Sequence, residues 1–371
     1  MGGKDENQAS GERTCLNKLA FSKLRVYLYN PHATTQADKE FNAAFARRFD
    51  RGSHRYINER MSSMLHLLNS SFKSIERKVR SWRRPPSKKS VWTFLAQNNY
   101  KGLLVDTPHG KFWVRPGDSA IGYALFTNGE FDFIDFSRLK NAISNGTINL
   151  PKDAIFLDVG ANIGTHTIYA LNSGLFSQAI SFEPDPGNFQ LLEMNIKANG
   201  LGDKCHLLNI ALGADAGTAE LELAEDNFGD HRIRRDESAT STDARYAEGN
   251  RETTSVRMET LDQTLSDLGV DPSRCFLHMD VQGFEPYVLQ GAQNFLASCE
   301  TIFTEFWPYG LSRSGGTDDF RALAEKHFSY FIDFGAGETH TRPINTLKDL
   351  FDRYAEGIGT TLLLTKAPSA P

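Results

Sequence analysis

Apolar and polar positions follow different rhythms in different parts of the chain, and the changes of rhythm mark its organisation. Between Ser53 and Trp82 the apolar residues Met61, Leu65, Leu68, Phe72, Ile75, Val79 and Trp82 recur at alternating steps of four and three. A seven-residue repeat keeps one stripe of a helix facing a partner, so this stretch predicts a long helix with a packing seam. Arg83-Arg-Pro-Pro-Ser-Lys-Lys-Ser90 then ends the helix and reads as a linker, because proline removes a backbone donor and crowds the preceding turn. Residues 91–150 are punctuated by Pro108-His-Gly110, Arg115-Pro-Gly-Asp118 and Asn128-Gly129, which predicts a small segment of short strands and turns packed on the core.

From Pro151 the rhythm changes to alternating strand and helix. Ala154–Val159 is a short apolar run that ends in glycine, and Thr165–Leu171 reads as helix. Ala179–Phe182 reads as strand, and Phe189–Ala198 as a helix with Leu191, Leu192 and Ile196 on one face. His206–Ile210, Phe276–Met279, Thr301–Phe306 and Thr361–Leu364 read as further strands. This alternation predicts an α/β fold over 151–371, a doubly wound and mostly parallel sheet covered on both faces, with residues 1–90 as a helical extension. Ala224–Glu252 interrupts the pattern, with 13 charged residues among 29 and few apolar anchors. A stretch of that length predicts a functional lid or an unstructured loop.

Composition adds an asymmetry. The chain of 371 residues is 40% hydrophobic and 23% charged, an ordinary globular balance that excludes a wholly disordered or fibrous protein. The net charge of −5 divides into +11 over residues 1–90 and −16 over the remainder, which suggests two units with different tasks. No apolar run reaches the roughly 18 residues of a membrane span, and the first residues lack the apolar core of a secretory signal. Cys15, Cys205, Cys275 and Cys299 are scattered, which fits free thiols in a reducing cytoplasm and neither a zinc site nor a disulfide framework.

The most informative segment is Phe156-Leu-Asp158-Val-Gly160-Ala-Asn162-Ile-Gly164-Thr-His166. A buried strand delivers Asp158, a glycine-rich turn follows, and a helix begins whose N–H groups attract a carboxylate or phosphate. The next strand ends in Ser181-Phe-Glu183-Pro184, placing a carboxylate at the strand tips, where it can accept both hydroxyls of a ribose. A nicotinamide dinucleotide prefers G-x-G-x-x-G, whereas this turn is G-x-x-x-G with Asp158 two residues before the first glycine. A carboxylate beside a pyrophosphate is repulsive. S-adenosylmethionine, with a sulfonium and an ammonium, suits the charge better.

With these residues the sequence resembles the FkbM family of S-adenosylmethionine-dependent methyltransferases, within the Rossmann-like class. The resemblance runs through Leu157–Gly164, through Phe182-Glu-Pro184 with Asn188 and Asn195, and through Ala211-Leu-Gly213. It continues in Thr260-Leu-Asp262 and in His278-Met-Asp-Val-Gln-Gly-Phe-Glu285, which leads into Val288–Ala292. The family more often has lysine where His278 stands and glutamate where Gln282 stands. The resemblance implies S-adenosylmethionine as cofactor and a hydroxyl of a sugar, glycan precursor or secondary metabolite as acceptor.

Roles follow for individual residues. Gly160 and Gly164 form the cofactor loop, Asp158 orders it and receives the ammonium through water, Asn162 holds it, and Glu183 binds the ribose. Asp280 ends the fourth strand across the switch point, facing the methyl or the acceptor. A hydroxyl acceptor needs a group to take its proton, and Asp280 and His231 are the first candidates, His278 the next. His278-x-Asp280 lacks a third ligand at readable spacing, so no metal is expected. The Asp/Asn-Pro-Pro-aromatic tetrapeptide of adenine-amino methyltransferases is absent, and Cys275, at the start of a buried strand, reads as core rather than as the nucleophile of carbon methylation, so oxygen is the default acceptor atom. The competing readings are a nicotinamide-dependent oxidoreductase and a membrane or nucleic-acid adaptor acting through the basic residues 73–89. A helix that self-associates through its 61–82 seam is the simpler account of that region; the expected partners are therefore a small-molecule or glycan acceptor and a second copy, not nucleic acid.

Overall fold

Five consecutive buried residues at Ile155–Val159, and again at Cys275–Met279, place these two strands at the centre of a sheet covered on both faces. The computed structural model describes residues 19–21, 24–27, 87–98, 100, 102–234, 251–355 and 357–368. The chain divides into two units, Met1–Ser87 and Lys88–Pro371. In the first, Leu19–Phe21 (β1) and Leu24–Tyr27 (β2) pair antiparallel, with Ala20 opposite Arg25. The heptad stretch 61–82 lies outside the described residues.

The second unit opens with α1 (Lys88–Gln97), the hairpin β3 (Leu103–Thr107) and β4 (Gly110–Val114), α2 (Ile121–Asn128) and α3 (Phe133–Ser144). It continues with β5 (Ile155–Val159), α4 (Thr165–Ser173), β6 (Gln178–Phe182), α5 (Pro186–Ala198) and β7 (Cys205–Leu208). A small sheet follows from β8 (Ala211–Leu212), β9 (Gly217–Glu222), β10 (Arg232–Ile233) and β11 (Thr253–Glu259). Then come α6 (Leu261–Asp267), β12 (Cys275–Met279), α7 (Glu285–Gln290), α8 (Gln293–Ser298) and β13 (Thr301–Phe306). The unit ends with α9 (Pro308–Arg313), α10 (Thr317–His327), β14 (Tyr330–Asp333), β15 (Arg342–Pro343), α11 (Lys348–Arg353) and β16 (Thr360–Thr365).

The principal sheet has the order β7-β6-β5-β12-β13-β16-β14-β15. Its strands β7, β6, β5, β12 and β13 are parallel, and β16 enters antiparallel between β13 and β14. The order reverses between β5 and β12, the switch point at which open α/β sheets bind ligands. This is the doubly wound, mostly parallel sheet that the strand–helix alternation predicts and that the resemblance to Rossmann-like methyltransferases implies.

Residues 91–150 depart from the expected strands and turns, since they hold one hairpin and the helices α2 and α3. The helical signal is present in Phe136, Leu139 and Ala142, buried at steps of three, and is masked by the turn residues around them. Part of the presumed linker is also helical, since α1 begins at Lys88 and buries Val91, Trp92 and Leu95. Asn195 of α5 and Asn199, just past its end, dock the hairpin. Asn199 exchanges hydrogen bonds with the N–H and C=O of Lys111 at 2.9 and 2.7 Å, and Asn195 does the same for Trp113. Asn195 also donates to the carbonyl of Ile163 at 2.8 Å, tying the hairpin to the loop after β5.

Candidate active site

The loop between β5 and α4 is shaped by close backbone approach. Gly160 has a φ of 83°, and a Cβ there would lie 1.9 Å from the carbonyl oxygen of Asp280, so the tips of β5 and β12 meet only because the side chain is absent. Gly164, at φ 87°, precedes α4, and a Cβ there would lie 2.5 Å from Leu192 Cδ1, so this glycine lets α5 approach. Asn162 adopts the left-handed region at φ 51°, which short polar residues tolerate.

The amides of this loop are already used. The N–H groups of Gly160 and Ala161 both donate to the carbonyl of Phe182 at 3.0 Å, and that of Gly164 donates to Ala161. Asn162 N–H donates to Glu183 Oε2 at 2.8 Å, and Ile163 N–H to Asn162 Oδ1 at 2.9 Å. The expected set of amides free to hold an anion is therefore not what residues 160–164 present, because β6 and the loop itself satisfy them.

Glu183 stands just past the tip of β6, 4% exposed, with Oε1 receiving the N–H of Asp185 at 2.8 Å. Each oxygen has a further lone pair, and the residue lines a cavity of about 350 Å³ between the strand tips. Burial, reinforced by the charges of Asp185 and Asp158, pushes its carboxyl up to about 8 against the pull of these two amides. The volume lies within the range of small-molecule sites, roughly 300–1,000 Å³.

The same cavity is lined by Gly160, Asn162, Asp280 and His231, so five of the sequence candidates, with Glu183, meet there. Asp158, Gly164 and His278 do not line it. Asp158 is fully buried, with Thr167 Oγ1 donating to one oxygen and His278 Nδ1 lying 2.8 Å from the other. The register explains the pair, since His278 lies directly across from Asp158 and Asp158 across from Ser181 in neighbouring strands. Burial raises the Asp158 carboxyl, but the hydrogen bond and charge of His278 outweigh it and hold the group below its ordinary value. Asp158 is thus committed to the core beneath the loop rather than to a water-bridged ammonium. His278 is packed between Phe156, Phe303 and His166, and the His166 ring lies 4.2 Å away. A proton acceptor for a bound substrate has to face that substrate, so His278 does not fill the role foreseen for it.

His231 faces the cavity from the segment after β9, but its Nδ1 accepts the N–H of Ala224 at 3.0 Å. A backbone amide is an unambiguous donor, so the neutral ring carries its proton on Nε2. Burial lowers its pKa, so both features oppose its service as a base. His166 also lines the cavity, and burial followed by the charge of His278 lowers its pKa to about 3.

Sequence reasoning missed Asp132 and Glu305, which join Asp280 at the other end of the cavity. Asp132 precedes α3 in a left-handed conformation, φ 50°, and lines the cavity while remaining exposed to solvent. Glu305 sits near the end of β13, where burial and then the charge of Asp280 raise it well above the usual carboxyl range. Gln282 Nε2 donates to Asp280 at 2.9 Å and reaches Glu305 at 3.4 Å, holding both carboxylates. The position of Glu305, five residues into the strand Thr301–Phe306, was the available signal. Glu285, at the start of α7, is 1% exposed and receives the N–H groups of Val281 and Gly283 at 3.0 and 3.3 Å.

The lining thus carries the carboxylates of Asp132, Glu183, Asp280 and Glu305 against one arginine, Arg232, which pairs with Glu222 at 3.3 Å and Asp230 at 3.6 Å. Among the described residues no group of three His, Cys, Asp or Glu is placed to hold a metal ion. Among them, too, no helix is long and apolar enough to cross a membrane.

Residues 158–337 match the family described as Methyltransferase FkbM domain. No curated protein sequence matches the chain. Among solved structures, TYW2 of P. horikoshii in complex with MeSAdo is similar at 13% identity and a TM-score of 0.35, covering 72% of each chain. Residues 961–1257 of the StiE O-MT are similar at 8% identity and a TM-score of 0.31, covering 61% of this chain and 72% of that one. A protein of the NADB-Rossmann superfamily from Streptococcus agalactiae is similar at 15% identity and a TM-score of 0.30, covering 63% and 69%.

Proposed function

Since residues 158–337 belong to the FkbM methyltransferase family, we propose that this chain uses S-adenosylmethionine to methylate a hydroxyl oxygen of a sugar, glycan precursor or secondary metabolite. The observation that carries the cofactor reading is the pairing of Glu183 with a loop whose amides are internally satisfied. Such a loop offers a carboxylate to ribose hydroxyls and no amide cradle to a pyrophosphate. The acidic lining points the same way. Its carboxyls, those of Glu183 and Glu305 held protonated by burial, can ionise toward a ligand that carries a sulfonium and an ammonium, and a pyrophosphate offers them no such gain.

The residues present fit that cofactor. Glu183 would hold the ribose, the loop 160–162 would pack against the nucleoside, and the carboxylates beyond would face the cationic centre. When bound, S-adenosylmethionine supplies an electrophilic methyl group. The protein's part is to align the acceptor oxygen with that methyl, exclude water and receive one proton. Asp280, which lines the cavity beyond the loop, would receive it. Glu305, linked to it through Gln282, is biased toward its protonated form by burial and by the charge of Asp280.

Calorimetry with S-adenosylhomocysteine and with NAD tests the cofactor: binding of the first alone is expected, and binding of NAD alone would overturn the reading. Mass spectrometry of a metabolite extract incubated with enzyme and cofactor tests the transfer. The product gains one methyl group on oxygen, and a gain on nitrogen or carbon would refute the acceptor class.

A further inference from the structure

Three histidines stand in or beneath the cavity wall, and two of them have a ring nitrogen committed to the protein. His231 Nδ1 accepts the N–H of Ala224 at 3.0 Å, and His278 Nδ1 lies 2.8 Å from Asp158. His166 differs. It lines the cavity half-buried, and among the described residues neither of its ring nitrogens meets a hydrogen-bond partner. Packing alone holds the ring. It lies on the His278 ring with centroids 4.2 Å apart and planes 30° from parallel, and Tyr169 stands across it at 6.0 Å and 74°. Tyr169 is itself fixed, since its hydroxyl donates to the carbonyl of Phe131 at 3.1 Å. A polar ring held this way keeps its hydrogen-bonding capacity for what the cavity receives.

The elements around His166 also say which end of the cavity it serves. It is the second residue of α4, and the strand beneath it is β12, with Asp280 just past the tip and two residues beyond His278. It therefore stands with Asp280, Asp132 and Glu305 rather than with Glu183 at the ribose position. Burial first, and then the charge of His278, hold the ring below the ordinary histidine range, and the pull of Asp158 in the other direction does not reverse this. Among carboxyl groups that draw cations, His166 is a neutral group suited to a neutral ligand atom.

A hydroxyl oxygen about to be methylated has three directions to satisfy. Its proton points to the base, one lone pair points to the methyl carbon, and the other lone pair can accept a donor. Asp280 and the methyl group account for the first two. We infer that His166 is a further catalytic residue, donating a ring N–H to the remaining lone pair of the acceptor oxygen and so aiming the attacking one at the methyl group. This rests on the reading of the cavity as the methyl-transfer site. The carbon–oxygen bond forms as the carbon–sulfur bond breaks, the hydroxyl proton passes to Asp280, and S-adenosylhomocysteine is the leaving group, so His166 keeps its own proton throughout. A charged donor would bind that oxygen more strongly and blunt its attack, which the neutral ring avoids.

The test pairs His166→Phe, which keeps a ring against His278 and loses both nitrogens, with His166→Asn, which returns a donor. Transfer of label from S-adenosylmethionine into a metabolite extract is read beside affinity for S-adenosylhomocysteine by calorimetry. His166→Phe lowers transfer by about 30- to 100-fold and leaves the affinity within about threefold, and His166→Asn recovers transfer to within roughly tenfold of the wild type. Should His166→Phe fail to fold, His166→Ala takes its place with the same expected loss. Nitrogen NMR of the free wild-type chain, with the ring assigned by its loss in His166→Asn, shows a neutral imidazole from about pH 5 to 8. Transfer within about threefold of the wild type in the Phe or Ala variant overturns the inference and leaves the cofactor reading standing. So does a fall in affinity of more than about tenfold, which would put His166 on the cofactor instead of the acceptor, and so does a ring that gains a proton in that pH range. A wild-type chain that binds no S-adenosylhomocysteine, or transfers no label, overturns the reading of the cavity, and the inference falls with it.

Discussion

The two ends of the cavity are built in opposite ways. At the β5 and β6 tips everything lies between Val159 and Asp185, and the geometry is main-chain geometry: positive φ at Gly160 and Asn162, amides returned to Phe182, a carboxylate fixed by two N–H groups. At the β12 and β13 tips the polar groups are side chains drawn from positions 132, 166, 280, 282 and 305, brought together only by the sheet order. The first end is a rigid cradle that a family can share. The second is a chemical surface whose members change independently, and that is where specificity and proton transfer belong.

If this division is right, substitutions at the second end change rate and those at the first change affinity. The largest expected effect is on the rate. Asp280→Asn keeps the shape, removes the proton acceptor, and lowers methyl transfer from labelled S-adenosylmethionine into the acceptor by about 10²–10⁴-fold. Affinity for S-adenosylhomocysteine stays within about threefold, since the ribose cradle is untouched. A large loss of affinity with an unchanged rate would invert the division.

At the first end, Gly160→Ala comes next. Its Cβ would meet backbone, the Asp280 carbonyl at 1.9 Å, and no rotamer can relieve that. We expect about 3 kcal/mol of destabilisation in a denaturant melt and at least a roughly hundredfold loss of affinity. Wild-type stability would show that the strand tips are not in contact.

Glu183→Ala follows, with affinity for S-adenosylhomocysteine falling about 10- to 100-fold, the usual range for hydrogen bonds to a charged group. The pH dependence carries a sign. Burial raises this carboxyl from 4.5 to about 8, so between those values the folded protein holds a proton the unfolded chain has released. The free protein therefore loses stability as pH rises through that window. A ribose that donates to the carboxylate favours the ionised form, so binding near pH 7 releases a proton and tightens as pH rises towards 8. Calorimetry in two buffers of different ionisation enthalpy reads this directly. Proton uptake, or release that persists in Glu183→Gln, would remove Glu183 from the ribose.

What the sequence disclosed follows the same division. The turn Val159–Gly164 is legible because its chemistry is local: glycine and asparagine are the residues that accept positive φ, and they stand in order. Glu183 is legible from the strand that delivers it. Asp132 and Glu305 are not, because nothing near them in the chain reveals that β13 lies beside β12 or that α3 starts over the same cavity. His278 shows the opposite failure. Two residues from Asp280, it shares that strand's face, but its register pairs it with Asp158 one layer deeper, where it supports the loop instead of facing the ligand. Local spacing assigns a face; depth along the strand comes only from the packing. The roles of Asn188 and Asn195 were equally hidden, since an amide side chain that clamps a distant backbone leaves no local pattern.

The smallest expected effect falls on His231, and it decides between the two candidate acceptors. A base must present an unprotonated nitrogen to the substrate, and the one such nitrogen of this ring is turned to the N–H of Ala224. Burial keeps the ring neutral by lowering its pKa, so it gains no proton in the neutral range. The ring can still donate from Nε2, a contribution of the order of one neutral hydrogen bond. His231→Gln, which retains an amide donor, should slow methyl transfer by less than about fivefold and leave the pH–rate profile in place. A hundredfold loss together with the disappearance of the acidic limb would transfer the proton-accepting role from Asp280 to His231. The Ala224 contact would then have to break in the bound state.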